Sequence, residues 1–340
     1  KKHLEKRHYE LLEDYQNTIN HYCFSGGVLR FNYITLKANY NKGKGGLKEY
    51  RTIERKLDEV KRFCIEYPKY AKSKKNEMDI QLNKNPKRDI IKSLWIGSYL
   101  NNLSELCIMS WLKLDYQVEL YIDTLNLPKY FDRYRKSGQL SFKCIKEIMP
   151  YSSGAEILPY SDLFRYKLLF QTGGTWADTD MFLLKKLPKD DIIISSEHTF
   201  QSGAFKSKLT WVANIGVLRF PKGDQFLENL IFKIENSFKK AEYLDNMIVF
   251  RKKLKNHPYF DLVSPPNMYC GLCWWNCKES YYDDHYTIKY GVKNQTNKEM
   301  LNSATSIHLW NNITHTKHDI DFNKINPKSL YQRLYNIIFN

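Results

Sequence analysis

The sequence predicts an α/β fold, a largely parallel sheet covered by helices on both faces, with a helical region ahead of it. Three observations lead there. From residue 88 onward, short apolar runs of strand length alternate with stretches of helical spacing. The runs are nearly continuous in apolar residues, as strands buried from both sides are. Residues 1–87 lack this alternation and are rich in Lys, Glu and Tyr. The chain has 340 residues, 42% of them hydrophobic, which exceeds one ordinary compact domain. A main domain over 88–340 and a basic helical appendage over 1–87 are expected.

In the appendage, Leu4, Tyr9, Leu11, Leu12 and Tyr15 form one helical stripe, and Ile53, Leu57, Val60 and Cys64 a second. Glycines at 26–27 and within 43–46 punctuate it, and Lys72 to Arg88 reads as a linker. In the main domain, Ile90 to Ile96 is a strand stopped by Gly97, and Ser104 to Leu114 a helix. Val118 to Ile122 is a second strand ending at Asp123. Ser161 can cap a helix reaching about Gln171, stopped by Gly173-Gly174. Trp176 to Leu184 is strand-like, and Ile192 to Ser195 is another apolar run. Ligands of open parallel sheets bind beyond the strands' carboxyl ends. Trp95, Asp123, Asp178 and Asp180 fall there.

Charge and cysteines narrow the classes. A formal charge of +16 and a pI near 9.3 predict acidic partners such as phosphorylated substrates, anionic lipid or nucleic acid. Much of that charge sits in runs such as Lys72–Lys75 and Arg251–Lys255, which read as solvated faces. No zinc finger, RNA-recognition signature or regular basic-aromatic array accompanies it, which argues against nucleic acid. The basic appendage is compatible with contact to a membrane surface. No apolar run is long enough to span one. Seven cysteines in no regular framework read as reduced thiols. Cys270, Cys273 and Cys277 lack a fourth zinc ligand at suitable spacing. Reduced thiols favour a cytoplasmic location. The chain begins at Lys1 rather than Met, so an anchor can precede it and place it in the secretory lumen.

The chemistry concentrates in Ser161-Asp162-Leu-Phe-Arg165-Tyr166 and Gly173-Gly174-Thr-Trp176-Ala-Asp178-Thr-Asp180. On an extended backbone, residues two apart share a side, so Asp178 and Asp180 are expected to converge on one hard divalent cation, Mn²⁺ or Mg²⁺. Asp162 and Arg165 share a helical face. They read as an acceptor for sugar or ribose hydroxyls beside a positive fork for phosphate, or as a helix-start salt bridge. An aspartate-nucleophile phosphatase also carries Asp-x-Asp on a strand, but Gly173-Gly174-Thr175 replaces the apolar lead-in it needs.

These motifs resemble the sugar-binding region of the DXD glycosyltransferases, a group spanning alpha-1,4-glycosyltransferases, capsular polysaccharide enzymes and initiating mannosyltransferases. The resemblance runs from Ser161 to Leu184-Lys185-Lys186-Leu187. Leu94-Trp95-Ile96-Gly97, Ser110-Trp111 and Leu120 to Asp123 resemble the nucleotide-binding half, including that of the large clostridial glucosylating toxins. Asn214-Ile-Gly216-Val217, Ser264-Pro265-Pro266 and Ser306 to Asn311 resemble later family segments. Ala177 stands where the family usually has Leu, and residues 1–85 match nothing in it.

The resemblance implies a GT-A-type, Rossmann-like sheet and a metal-dependent enzyme. Such an enzyme moves sugar from a nucleotide-sugar, UDP-linked by preference, to a glycan, lipid or protein hydroxyl with retention. It implies that Trp95 stacks on the base, with Gly97 and Asp123 nearby. Asp162, Arg165 and Asn214 hold the donor sugar, and Trp176 walls the pocket. Asp178 and Asp180 engage ribose, metal and diphosphate, with Arg165 part of the catalytic set. His308 and Asn311 complete the metal site. The alternative is a catalytically degenerate basic domain that binds membrane or nucleic acid.

Overall fold

The computed structural model describes residues 53–66, 71–75, 80–82, 88–123, 126–152, 154–201, 208–239, 245–282, 285–286, 295–314 and 326–339. The stripe from Leu4 to Tyr15 lies outside them. The chain divides into two units, 1–89 and 90–340.

In the first unit, α1 (Ile53–Glu66) buries Val60 and Phe63, while Cys64 stays half-buried. Residues 72–88 are not a plain linker. Strands β1 (Ala71–Ser73) and β2 (Ile80–Leu82) pair antiparallel, Ala71 opposite Leu82. Alternation decides this against the Lys-rich composition: Ala71 and Ile80 are buried, and Lys72 points to solvent.

The second unit is built on a six-stranded sheet. Its strands are β3 (Ile90–Trp95), β4 (Gln117–Ile122), β5 (Leu140–Cys144), β6 (Gly174–Ala177), β8 (Ile193–Gln201) and β9 (Lys208–Phe220), in the order β5-β4-β3-β6-β9-β8. The first four run parallel, and β9 and β8 are antiparallel additions at one edge. Two apolar cores follow from the pleat. Ile91, Val118, Leu120, Ala177 and Val217 face one, with α2 (Asn102–Lys113) and α6 (Leu330–Phe339). Leu94, Tyr121, Trp176, Ile215 and Leu218 face the other, with α3 (Ile157–Thr172), α4 (Gln225–Lys239) and α5 (Asn246–Leu254). The sheet is thus covered on both faces, as its continuous apolar runs predict.

Two starts and one stop position the site. Asn101 caps α2 by accepting from the Ser104 N–H at 3.0 Å. Helix α3 begins at Ile157, four residues before Ser161, so Ser161 is an interior residue and not the cap. Gly173 ends α3 at φ +61°, its N–H closing on Leu169 O at 2.7 Å. A Cβ there would stand 2.6 Å from the Lys222 backbone nitrogen, so both conformation and space demand glycine.

Outside the sheet, β7 (Met181–Leu183) pairs antiparallel with β10 (Ser306–His308), placing His308 opposite Met181. Among the described residues, no helix is long and apolar enough to cross a membrane.

Candidate active site

Parallel strands β3, β4 and β6 end side by side at Trp95, Ile122 and Ala177. The residues that follow them, with one turn of α3, form the candidate site. The stretch joining β6 to β7 is not extended. Asp178, Thr179 and Asp180 make a turn closed by the Met181 N–H on Asp178 O at 2.9 Å, and the Asp178 N–H bonds Gly216 O at 2.8 Å. From α2, the Trp111 indole donates to Met181 O at 2.7 Å, and Ser110 Oγ accepts the Leu183 N–H at 3.0 Å. These contacts give the Ser110-Trp111 dipeptide its job, which is to hold the strand leaving the aspartates.

The turn sends the two aspartates to different partners. Asp178 meets Arg165 Nη1 at 2.9 Å and accepts the Trp176 indole N–H at 2.8 Å. Asp180 Oδ2 lies 3.2 Å from His308 Nε2 and accepts the Asn311 backbone N–H at 2.9 Å. The turn gives the two carboxylates different protein partners, because the same-side rule holds only on an extended backbone, and they remain close enough for the Asp180 charge to act on Asp178.

Arg165 is the hub of the first pair. Nη1 also donates to Ile215 O at 2.8 Å, Nη2 reaches Asp162 at 3.2 Å and Ser161 Oγ at 3.2 Å, and Nε points to Ser161 O at 3.4 Å. Those contacts engage all of a guanidinium's N–H groups. Arg165 is therefore no open fork for phosphate, and its role is to hold Asp162 and Asp178. Its guanidinium carbon lies 5.1 Å over the Trp176 ring. Trp176 itself is 1% exposed, so it lines no pocket and reaches the site only through its N–H.

Electrostatics follow from this pairing. Burial pushes the Asp162 carboxyl up to about 6, against the pull of Arg165 and helped by the negative charges of Asp178 and Asp245. Burial also raises Asp178, which Arg165 opposes and the Asp180 charge reinforces. Burial would raise Asp180 too, but the His308 imidazolium and the Asn311 N–H hold it below the ordinary carboxylate value. His308, which burial alone would lower, is held well above the usual imidazole range by Asp180.

His308 stacks on Trp310, ring centroids 3.8 Å apart, and the Cys270 thiol lies beside it. Trp310 takes a left-handed backbone at φ +54°, rare for so large a residue, and the turn there brings the Asn311 N–H back to Asp180. The Asn311 side chain accepts from Asn101 Nδ2 at 2.8 Å. Among the described residues, no group of three or more His, Cys, Asp or Glu is arranged as a metal cage. The donor set does fit a hard cation that brings phosphate and water oxygens of its own, since such ions are commonly held by one or two carboxylates. Asp180, only 15% exposed yet bound to protein mainly through one oxygen, is the carboxylate suited to that.

The remaining sequence candidates divide. Trp95 is half-buried, its indole N–H buried without a partner among the described residues, and Gly97 follows at φ +142°. Asp123, just past β4, lies near the Tyr160 hydroxyl. Asn214 is buried, its Oδ1 accepting the Gly216 N–H at 2.6 Å. A Cβ on Gly216 would lie 2.8 Å from that oxygen and 3.6 Å from Asp178 Oδ2, so Asn214 and Asp178 are one small residue apart. Ser264-Pro265-Pro266 docks on β8 through the Ser264 N–H to Ile194 O at 2.9 Å. Cys270, Cys273 and Cys277 are free, buried thiols, and Cys270 lies beside His308.

Two residues of the site were not anticipated. Glu197, on β8, accepts from Asn214 Nδ2 at 2.6 Å and from Arg251 Nη2 at 2.9 Å. Arg251, from the basic run taken as a solvated face, donates Nε to Ala213 O at 2.8 Å, and its charge reaches Asp162. Neither carries a sequence signal, since an isolated Glu in a strand and an Arg before lysines look like ordinary surface charges.

Residues 93–199 match the family described as a glycosyltransferase sugar-binding region containing a DXD motif. The span includes Asp162, Arg165, Asp178 and Asp180. Over this span the chain is similar to the sugar-binding region of the DXD glycosyltransferases.

Among solved structures, the PaToxG glycosyltransferase aligns with 51% of this chain and 71% of its own, at 14% identity and a TM-score of 0.36. The UDP-bound glycosyltransferase domain from the YGT toxin aligns with 49% of this chain and 66% of its own, at 11% identity and a TM-score of 0.31. The apo-form glycosyltransferase GlyE of Streptococcus pneumoniae TIGR4 aligns with 53% of this chain and 46% of its own, at 13% identity and a TM-score of 0.32. No curated protein matches the chain. The architecture of this chain is α/β, with a mostly parallel central sheet covered by helices.

Proposed function

We propose that this chain is a glycosyltransferase that moves a sugar from a UDP-sugar to a hydroxyl of a glycan, lipid or protein, with a divalent cation and with retention at the anomeric carbon. The observation that carries the reading is the Asp162–Arg165–Asp178 cluster, set beside Asp180–His308 at the carboxyl ends of three parallel strands. In this reading Trp95, Gly97 and Asp123 receive the nucleoside. Asp162 accepts from a donor-sugar hydroxyl, Asn214 faces the sugar, and Asp178 takes ribose or sugar hydroxyls.

Mn²⁺ or Mg²⁺ would be held by Asp180, with His308 and Asn311 at its back, and supplies Lewis-acid stabilisation of the charge that develops on the departing diphosphate. Arg165 contributes by keeping both carboxylates aimed. Its single positive charge offsets one of their two negative charges, which lowers the cost of holding both carboxylates in a dry site before the donor arrives. Acceptor attack on the face that the diphosphate leaves gives an alpha-linked product from an alpha-linked donor.

The test is release of nucleoside diphosphate followed across pH. Asp162 is the stronger acceptor when ionised, and its folded value lies near 6, so turnover should rise as pH increases through about 6. Asp162→Asn should be slower and lack that inflection. An unchanged profile in the variant would remove Asp162 from the donor site.

A further inference from the structure

Asn214 has a determined orientation, because each neighbour can play only one part. The Gly216 N–H, 2.6 Å away, can only donate, so the side-chain atom it meets is the carbonyl oxygen. Glu197, paired with Arg251 at 2.9 Å, is a carboxylate that can only accept, so the atom 2.6 Å from it is the nitrogen. Both Glu197 oxygens are thereby used, one by the amide and one by the guanidinium. Arg251 is itself anchored on Ala213 O at 2.8 Å, the residue before Asn214. The Ser195 hydroxyl, 3.0 Å from Asn214 O, ties the same strand from β8. One hydrogen on Asn214 Nδ2 is left without a protein acceptor among the described residues, in a buried side chain whose carbonyl end stands across Gly216 from Asp178.

We infer that Glu197 is a positioning residue. Backed by Arg251, it locks the Asn214 amide so that the side chain offers the donor sugar an N–H rather than a carbonyl oxygen. The inference rests on the proposed transfer reading and adds a demand on the donor, which must place an oxygen lone pair at that N–H. It also explains why a glutamate and an arginine lie half-hidden at this edge of the sheet, only 13% and 28% exposed.

The experiment joins turnover with a direct view of the amide. Glu197→Ala and the nearly isosteric Glu197→Gln are compared with the wild-type chain for UDP release in Mn²⁺. The Asn214 side-chain NH₂ signals are followed by ¹⁵N NMR, assigned with Asn214→Ser. We expect kcat to fall about 100-fold in Glu197→Ala and about 10-fold in Glu197→Gln, the scale of losing one oriented donor. Inhibition by UDP should stay within about two-fold, and the two Asn214 protons should lose their separation in Glu197→Ala. A purely structural role would weaken UDP inhibition in parallel with kcat, and that result overturns the inference. So does wild-type turnover in Glu197→Ala, or Asn214 signals indifferent to either substitution. If the wild type turns over no donor while the Asn214 signals still respond to Glu197, the transfer reading fails and the positioning role stands.

Discussion

Arg165→Ala is expected to cost about 3–5 kcal/mol of stability and to abolish donor turnover. The guanidinium is 6% exposed and sits between two carboxylates that are themselves mostly covered, Asp162 at 16% and Asp178 at 24%. Removing the cation leaves both charges in a poorly solvated place, and breaking a buried pair from one side has that cost. The loss of the bond to Ile215 O adds an unsatisfied carbonyl next to Asn214. Arg165→Lys separates the two contributions. A lysine keeps the charge but cannot bridge Asp162, Asp178, Ser161 and Ile215 together. It should regain part of the stability in urea unfolding while turnover remains far below wild type. Full activity in Arg165→Lys would show that charge alone suffices.

Asp180→Asn is expected to lower turnover by about 10²–10³, the usual effect of removing one group that stabilises charge in the transition state. An asparagine oxygen can still accept from the Asn311 N–H, so the fold should survive. The negative charge facing His308 is what disappears. In the wild-type chain, a cation approaching Asp180 competes with the His308 proton, which Asp180 holds well above the ordinary imidazole range. Mn²⁺ affinity should therefore increase with pH and binding should release protons. Calorimetry in buffers of different ionisation enthalpy checks this. Asp180→Asn should show weak Mn²⁺ binding with little proton release, and wild-type-like affinity in that variant would place the cation elsewhere.

Much of the sheet could be read from residue pattern because its elements obey single periodicities. Ile90 to Trp95 and Gln117 to Ile122 are short apolar runs, and they form β3 and β4. The glycine pair after Gln171 stops α3 because φ is positive at both Gly173 and Gly174. The β8–β9 ribbon was legible only at its Ile192–Ser195 start. Its continuation carries Ser196, Glu197, His198 and Thr199, and it is held by pairing with β9 rather than by apolar periodicity. The order of the motifs brought Asp162, Arg165, Asp178, Asp180 and His308 together in prediction, and they adjoin in the structure. Their pairing was not legible. The turn at Thr179 is set by hydrogen bonds to Met181 and Gly216, and the first of these cannot be told from strand pairing in sequence. Glu197 and Arg251 are 54 residues apart and meet only through the packing of α5 against β9.

The most direct measurement is release of nucleoside diphosphate from a panel of UDP- and GDP-sugars in Mn²⁺, with and without chelator. Turnover of at least one UDP-sugar is expected, lost on chelation and restored by added Mn²⁺. Turnover that persists in excess chelator would contradict the cation's role at Asp180, and turnover of no donor at all would contradict glycosyl transfer by this site.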